Sequence, residues 1–228
     1  MMRYFDELDK KIYLEFCEVG HGLKKLSASE VCSEALHENL LKIISDRGIF
    51  SISVESEYGG RSLEWKKSII ALDAVFSVYS NIQLMNYVVT HIGVVHLISR
   101  HAASYFKARH LSDLACGNLK SALTYQWQLR ANSKNKFSHT YSKPSQFLSI
   151  KMLKKKDNIH VYAGYSDFRS ASSVSIGKNY CEIANGSNGT KSFYDSLIFK
   201  KIMLGVLASR VMGRINTSAH NSDYALFN

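Results

Sequence analysis

The sequence lacks the cysteine spacings that would staple a small fold or build a metal centre. Cys17, Cys32, Cys116 and Cys181 include no Cys-x-x-Cys pair and no tight framework. Neither a zinc site nor a disulfide scaffold is therefore expected, and reduced thiols in the cytoplasm fit best. A secretory leader is also missing from the pattern, because Asp6, Glu7, Asp9 and Glu15 interrupt the first helical stripe. Without a leader, the Asn-x-Ser/Thr triplets at Asn185, Asn188 and Asn216 carry little meaning. No apolar run is free of polar residues. The most apolar stretch, Ile82 to Ile98, contains Gln83, Asn86, His91 and His96, which reads as a buried helix and not as a bilayer span. Acidic residues are scarce in one half only. Residues 1–120 hold 14 Lys/Arg and 14 Asp/Glu, whereas residues 121–228 hold 15 and 5, so the second half carries the whole net charge of +10. Such asymmetry suits an acidic partner such as a nucleic acid, a phosphate-bearing cofactor or an acidic carrier protein, or simply a soluble basic face.

With 46% apolar and 21% charged residues the chain has a globular balance. Phe5, Leu8, Ile12 and Phe16 draw one apolar helical stripe, which Gly20 and Gly22 are expected to end. A second helix is expected from about Ser33 to Arg47, with Leu36, Leu40, Ile43 and Ile44 inward and Gly48 as its stop. Tyr58-Gly59-Gly60 marks a turn. From Ser62 to about Cys116 the pattern is helical again, too long for one helix, and divides near Ser80-Asn81 and His101-Ala102. After Gly117 the texture changes. Leu148–Ile150 and Ile159–Tyr162 alternate as strands around a turn at Lys154 to Asn158, and Val174–Ile176 is a further strand candidate. A final helix from Phe193 is apolar nearly all round, so it must be covered on several sides. The expected class is α+β: an α-helical domain over 1–117, a small antiparallel β domain over 118–192, and a C-terminal helix over 193–228.

The stretch Gly48-Ile49-Phe50-Ser51-Ile52-Ser53-Val54-Glu55-Ser56-Glu57-Tyr58-Gly59-Gly60 resembles a Glu-Tyr-Gly-Gly segment of the acyl-CoA dehydrogenase family in composition and spacing. His91-Ile92-Gly93, Tyr105 to Leu111 and Leu114-Ala115-Cys116-Gly117-Asn118 are similar to that family's next helix pair and the link after it. Ala122-Leu123-Thr124 stands where the family has an Ala-Leu/Val-Thr strand, Asp157 to Gly164 resembles its strand-turn, and Phe168-Arg169-Ser170 matches a further short segment. The last helix resembles the first helix of the family's C-terminal bundle.

The resemblance implies a cleft between the helical and β domains that holds FAD and an acyl thioester, of CoA or of an acyl-carrier protein. Thr124, Phe168 and Ser170 would then contact the cofactor, and Tyr58, Gly59 and His91 would lie at the substrate. A glutamate of the family removes the α-proton while flavin takes a hydride from the β-carbon. Here Tyr125-Gln126-Trp127-Gln128 replaces the family's Glu-Pro-Gly turn, and no glutamate follows Glu182. No catalytic residue is assigned for that reason. The isolated chain is expected to be inactive, and a homodimer or a complementary subunit packed on the last helix is expected to complete the bundle. The alternative is a non-catalytic relative that has lost FAD and binds an acyl thioester, a carrier protein or another subunit.

Other readings are weaker. His91, His96 and His101 recur every five residues, about 140° apart around a helix, so no shared metal face is expected. Lys151, Lys154, Lys155 and Lys156 could meet a pyrophosphate, but a solvated turn is the preferred explanation. Tyr125, Trp127 and Arg130 lack a surrounding nucleic-acid motif.

Overall fold

The computed structural model describes residues 5–29, 34–126, 147–155, 158–166 and 180–225. Five helices come first: α1 (Glu7–Ser29), α2 (Glu34–Asp46), α3 (Trp65–Val78), α4 (Ile82–His101) and α5 (Ser104–Ala115), with a 3-10 turn at Ser56–Tyr58. Strands β1 (Lys120–Gln126), β2 (Phe147–Lys155), β3 (Asn158–Ser166) and β4 (Tyr180–Ala184) form one sheet in the order β1-β2-β3-β4, and α6 (Gly186–Ala225) follows. The fold is α+β, as the sequence indicates.

The helix breaks fall where the pattern puts them. Asn81 accepts a hydrogen bond from the Leu84 amide at 3.0 Å and so caps α4. A turn through Gly48, whose amide donates to the Ser45 carbonyl at 2.8 Å, closes α2. α1 differs: it runs straight through Gly20 and Gly22 to Ser29. Gly20 does not stop the helix, because its function is close packing on α3. A Cβ there would lie 2.8 Å from the Val78 Cβ and 2.9 Å from the Val75 carbonyl oxygen, whereas one on Gly22 would meet nothing within 4 Å.

The sheet also departs from expectation. β2–β3 and β3–β4 are antiparallel, but β1 pairs with β2 in parallel, Leu123 opposite Ile150 and Thr124 opposite Lys151. Residues 127–146 separate these strands, and a parallel pair needs a connection of about a dozen residues or more. The sheet is therefore mixed. β4 was not foreseen, since its residues are exposed or half-buried with no regular alternation. α6 begins at Gly186, seven residues before the expected Phe193. The candidate strand Val174–Ile176 lies outside the described residues.

Two apolar clusters make the core. One joins α1, α2, α3 and the first half of α4 to Phe199, Met203 and Leu207 of α6. The other joins the second half of α4 and α5 to Leu148, Ile150, Met152, Val161 and Ala163 of the sheet and to Phe193. α4 belongs to both. It is long and apolar enough to cross a membrane, yet most of it is buried within the protein. An ion pair reinforces the outer cluster: Arg210 of α6 donates to Asp73 of α3 at 2.6 and 2.5 Å in a two-pronged contact.

The packing of α1 on α3 yields a paired expectation. Gly20→Ala should lower stability by about 1–3 kcal/mol through overpacking, while Gly22→Ala should be neutral or stabilising by up to about 1 kcal/mol from helix propensity. Chemical denaturation of both variants checks this, and equal midpoints would refute the close-contact explanation.

Candidate functional site

The Glu55–Gly60 loop is built from buried anchors and backbone bonds. Ile52 and Val54 are fully buried, and the amides of Ser62 and Leu63 return to the carbonyls of Val54 and Ile52 at 2.8 and 3.0 Å. Gly59 has φ +83°, a left-handed conformation that favours glycine, and a Cβ on Gly60 would lie 2.0 Å from the Val54 carbonyl oxygen. Glu55 then docks the loop on two helices. Its carboxylate accepts from Ser99 of α4 at 2.8 Å and from Lys107 of α5 at 3.4 Å. Burial alone would raise its pKa, but its own backbone amide first, then the Ser99 hydroxyl and the Lys107 ammonium, hold it below the ordinary carboxylate value. Tyr58 is half-buried against the second apolar cluster.

His91 is 1% exposed, and both of its ring nitrogens are engaged. Nε2 lies 2.9 Å from the Leu114 carbonyl, to which it donates, and Nδ1 lies 2.8 Å from Ser121 Oγ, from which it accepts. Phe50 and Tyr87 enclose the ring at 4.4 and 5.8 Å. Neither nitrogen remains for a ligand. Burial pushes its pKa down to about 4, so the neutral ring ties α4 to the end of α5 and the start of β1.

One turn further on, α4 and α6 enclose a small cleft lined by Trp65, His96, Arg100, Asp195, Ile198 and Phe199, with a cavity of about 80 Å³. The His96 ring stacks on Phe199 at 4.8 Å and 14°, and Trp65 lies 5.9 Å from Phe199. His96 has no hydrogen-bond partner among the described residues. Desolvation first, and Arg100 second, lower its pKa to about 4. At the rim His101 Nε2 meets Asp195 Oδ2 at 3.0 Å. The three evenly spaced histidines thus serve three neighbours: β1, Phe199 and Asp195. Sequence order hides the α4–α6 cleft, because Asp195 stands 94 residues from His101.

On the sheet, Thr124 pairs with Lys151 across β1 and β2. Lys151 is 2% exposed, which corrects its placement in a solvated turn. Its ammonium lies 4.4 Å from the centre of the Tyr180 ring. Ser149 Oγ and Tyr180 Oη are buried without a hydrogen-bond partner among the described residues. Phe168 and Ser170 lie outside the described residues. No group of three or more metal-ligating side chains occurs among the described residues.

Residues 24–118 match the family model for the acyl-CoA dehydrogenase N-terminal domain. No curated protein matches the sequence. Among solved structures, the apo form of PigA is similar with a TM-score of 0.62 and 15% identity, covering 97% of this chain and 69% of that one. PigA is also solved as an FAD complex and with FAD and proline. The prolyl acyl carrier protein oxidase AnaB is similar with a TM-score of 0.62, 12% identity and coverage of 95% and 69%. Butyryl-CoA dehydrogenase from Megasphaera elsdenii gives 0.58, 12%, 91% and 66%. At such identities the likeness is one of fold.

The buried histidines set a pH dependence. With folded pKa values of about 4 against an ordinary 6.5, the unfolded chain binds more protons between these limits, so stability is full above pH 6.5 and falls as pH drops toward 4. Each imidazole contributes at most about 3 kcal/mol across that window. Thermal melts between pH 4.5 and 7.5 should show the decline, and His96→Phe, which keeps the stack on Phe199, should make it shallower. A pH-independent melting point would contradict the burial of both rings.

Proposed function

We propose that this chain, which carries the acyl-CoA dehydrogenase N-terminal domain and the fold of that family, binds FAD and works on an acyl thioester carried by an acidic carrier protein. The observation that carries this reading is the continuity of the fold likeness, which runs through the helical domain, the sheet and α6 to cover 97% of the chain. Two similar structures bear directly on it: PigA binds FAD, and AnaB is an acyl carrier protein oxidase. The excess of 15 basic over 5 acidic residues in 121–228 suits an acidic partner of either kind, and the likeness to AnaB is what favours a carrier over free CoA.

The described residues fit a flavin nucleotide. Thr124 and the buried Lys151 share one row of the sheet, and buried hydroxyls without partners stand beside them. FAD, when bound, supplies the hydride acceptor. The chain supplies position and exclusion of water: His91 fixes β1 against α4, and the Trp65–His96–Phe199 stack closes the α4–α6 side of the cleft. Asp195 is engaged by His101 and no glutamate follows Glu182. The base that removes the α-proton is therefore not assigned to α6 and would be supplied by another packed segment or polypeptide.

α6 offers a place for that polypeptide. Tyr194, Ile198, Ile202 and Met212 are exposed, and their spacings of 4, 4 and 10 residues put them within about 80° of one another on the helix. Water does not hide such a stripe, whereas a bundled helix does. A second reading is a colourless, non-catalytic binding subunit. One observation favours it: the aromatic stack leaves a cavity of only about 80 Å³ between α4 and α6.

Absorbance after adding excess FAD and removing the unbound fraction separates these readings, and a retained flavin spectrum is the expected result. A colourless protein would favour the binding subunit. With an artificial electron acceptor the isolated chain should give no thioester dehydrogenation, since loss of a positioned base costs about 10²–10⁴ in rate, and robust turnover would overturn the need for a partner. Light scattering tests α6. The intact chain should be larger than a monomer, and Ile198→Glu/Ile202→Glu should be monomeric while keeping the helical circular dichroism of the folded chain. A monomeric intact chain at micromolar concentration would refute the interface.

A further inference from the structure

The small cleft between α4 and α6 contains a polar group that the fold leaves unused. His96 is 6% exposed, lines the cleft and has no hydrogen-bond partner among the described residues. Phe199 covers one face of its ring at 4.8 Å, and Trp65 approaches at 6.4 Å. The nitrogens at the ring edge are therefore its polar contribution to the cleft. A buried imidazole without a partner is unfavourable unless something in the cleft bonds to it. Arg100 lies four residues further along α4, on the same face of the helix. It lines the cleft at the exposed rim, and its guanidinium makes no hydrogen bond or ion pair among the described residues.

Charge decides what such a cleft can hold. Among the described residues Asp195 is the one acidic side chain in the lining, and it already accepts from His101 Nε2 at 3.0 Å. Arg100 acts on the His96 ring more strongly than Asp195 does, and Lys191 adds a further positive charge near His101. The net field at the free imidazole favours an anion. A carboxylate carries one charge and two oxygens, which suits one guanidinium and one imidazole N–H. A phosphate dianion would bring a second charge up to Asp195 with no further cation in the lining. The cavity of about 80 Å³ admits a group of a few non-hydrogen atoms, and Trp65, Ile198 and Phe199 supply apolar walls for a short hydrocarbon stem.

We propose that the α4–α6 cleft binds a short carboxylate, with Arg100 and the His96 ring as its donors and Trp65 and Phe199 as its walls. Two sources share that chemistry: the far end of an acyl group held as a thioester, and a free carboxylic acid. The first is the assignment made here. It rests on the thioester reading above, in which the Trp65–His96–Phe199 stack closes one side of the acyl site, whereas the carboxylate chemistry rests on the cleft alone.

In the full chain carrying Trp127→Phe, Trp65 is the sole tryptophan and reports directly on the cleft. Propionate, propionamide and propylamine match in length and differ in the charge of the end group. At constant ionic strength propionate should change Trp65 fluorescence saturably, propionamide should bind about tenfold more weakly, and propylamine should have no effect. Arg100→Met, on the exposed rim, should weaken propionate about tenfold, and His96→Phe, which keeps the stack, about threefold. No saturable response to propionate, an equal response to all three compounds, or binding unchanged in both variants would overturn the carboxylate site. Pantetheine thioesters separate the two sources. Succinyl-pantetheine should bind about tenfold tighter than butyryl-pantetheine and lose that advantage in Arg100→Met. Arg100-dependent binding of propionate with no preference between the thioesters would uphold the site and overturn its assignment to the acyl end in favour of a free acid. No flavin enters these titrations, so a chain that takes up no FAD yet binds propionate loses the flavin reading and keeps the site.

Discussion

The burial of α4 from His91 to Ser99 is the constraint on which the other elements depend. A helical stretch shut off from water leans on neighbouring elements for its polar groups: His96 is left to ring stacking, and three other residues reach out from α4. Each serves a different neighbour. His91 reaches the Leu114 carbonyl and Ser121, Ser99 reaches Glu55 of the Gly-Gly loop, and His101 reaches Asp195 of α6. At about 100° per residue, His91, Ser99 and His101 point in three different directions around the helix axis and so spread these hooks. β1, the loop and α6 are thereby placed relative to one helix, and the cleft between α4 and α6 follows from that placement.

α6 carries the opposite constraint. Phe199, Met203 and Leu207 are buried in the first cluster, and the Arg210–Asp73 pair fastens the helix to α3. Tyr194, Ile198, Ile202 and Met212 remain outside. Each side chain of this size gains roughly 1.5–3 kcal/mol on full burial, so the outward stripe is a substantial incentive for association. The same helix contains five Lys/Arg and two Asp over Gly186–Ala225. Like charges on two copies oppose pairing only weakly at an exposed surface, so the apolar stripe dominates.

Much of the helical half is legible in the sequence because its signals are local. The Asn81 cap and the break after His101 depend on a few adjacent residues, and the structure reproduces them. Gly20 shows the limit of that logic. Read locally, a glycine pair ends a helix, yet Gly20 continues one because α3 presses against it at a distance no side chain tolerates. β1 and β4 were less legible than β2 and β3 for a related reason. Leu148–Met152 of β2 and Ile159–Ala163 of β3 alternate apolar with other residues, whereas β4 lacks alternation and is held by its pairing to β3.

The sequence alone determined the α+β class, the helix breaks, the β2–β3 hairpin and the likeness to acyl-CoA dehydrogenases through Gly48 to Gly60, since all are written in short-range patterns. Only the tertiary structure decided the roles of individual polar residues. His91 became a buried tie, Lys151 moved from a solvated turn into a buried row beside Tyr180, and Asp195 met His101 across 94 positions. The reason is physical: whether a polar side chain is solvated, paired or left waiting for a ligand depends on which distant element covers it, and spacing along the chain does not encode that.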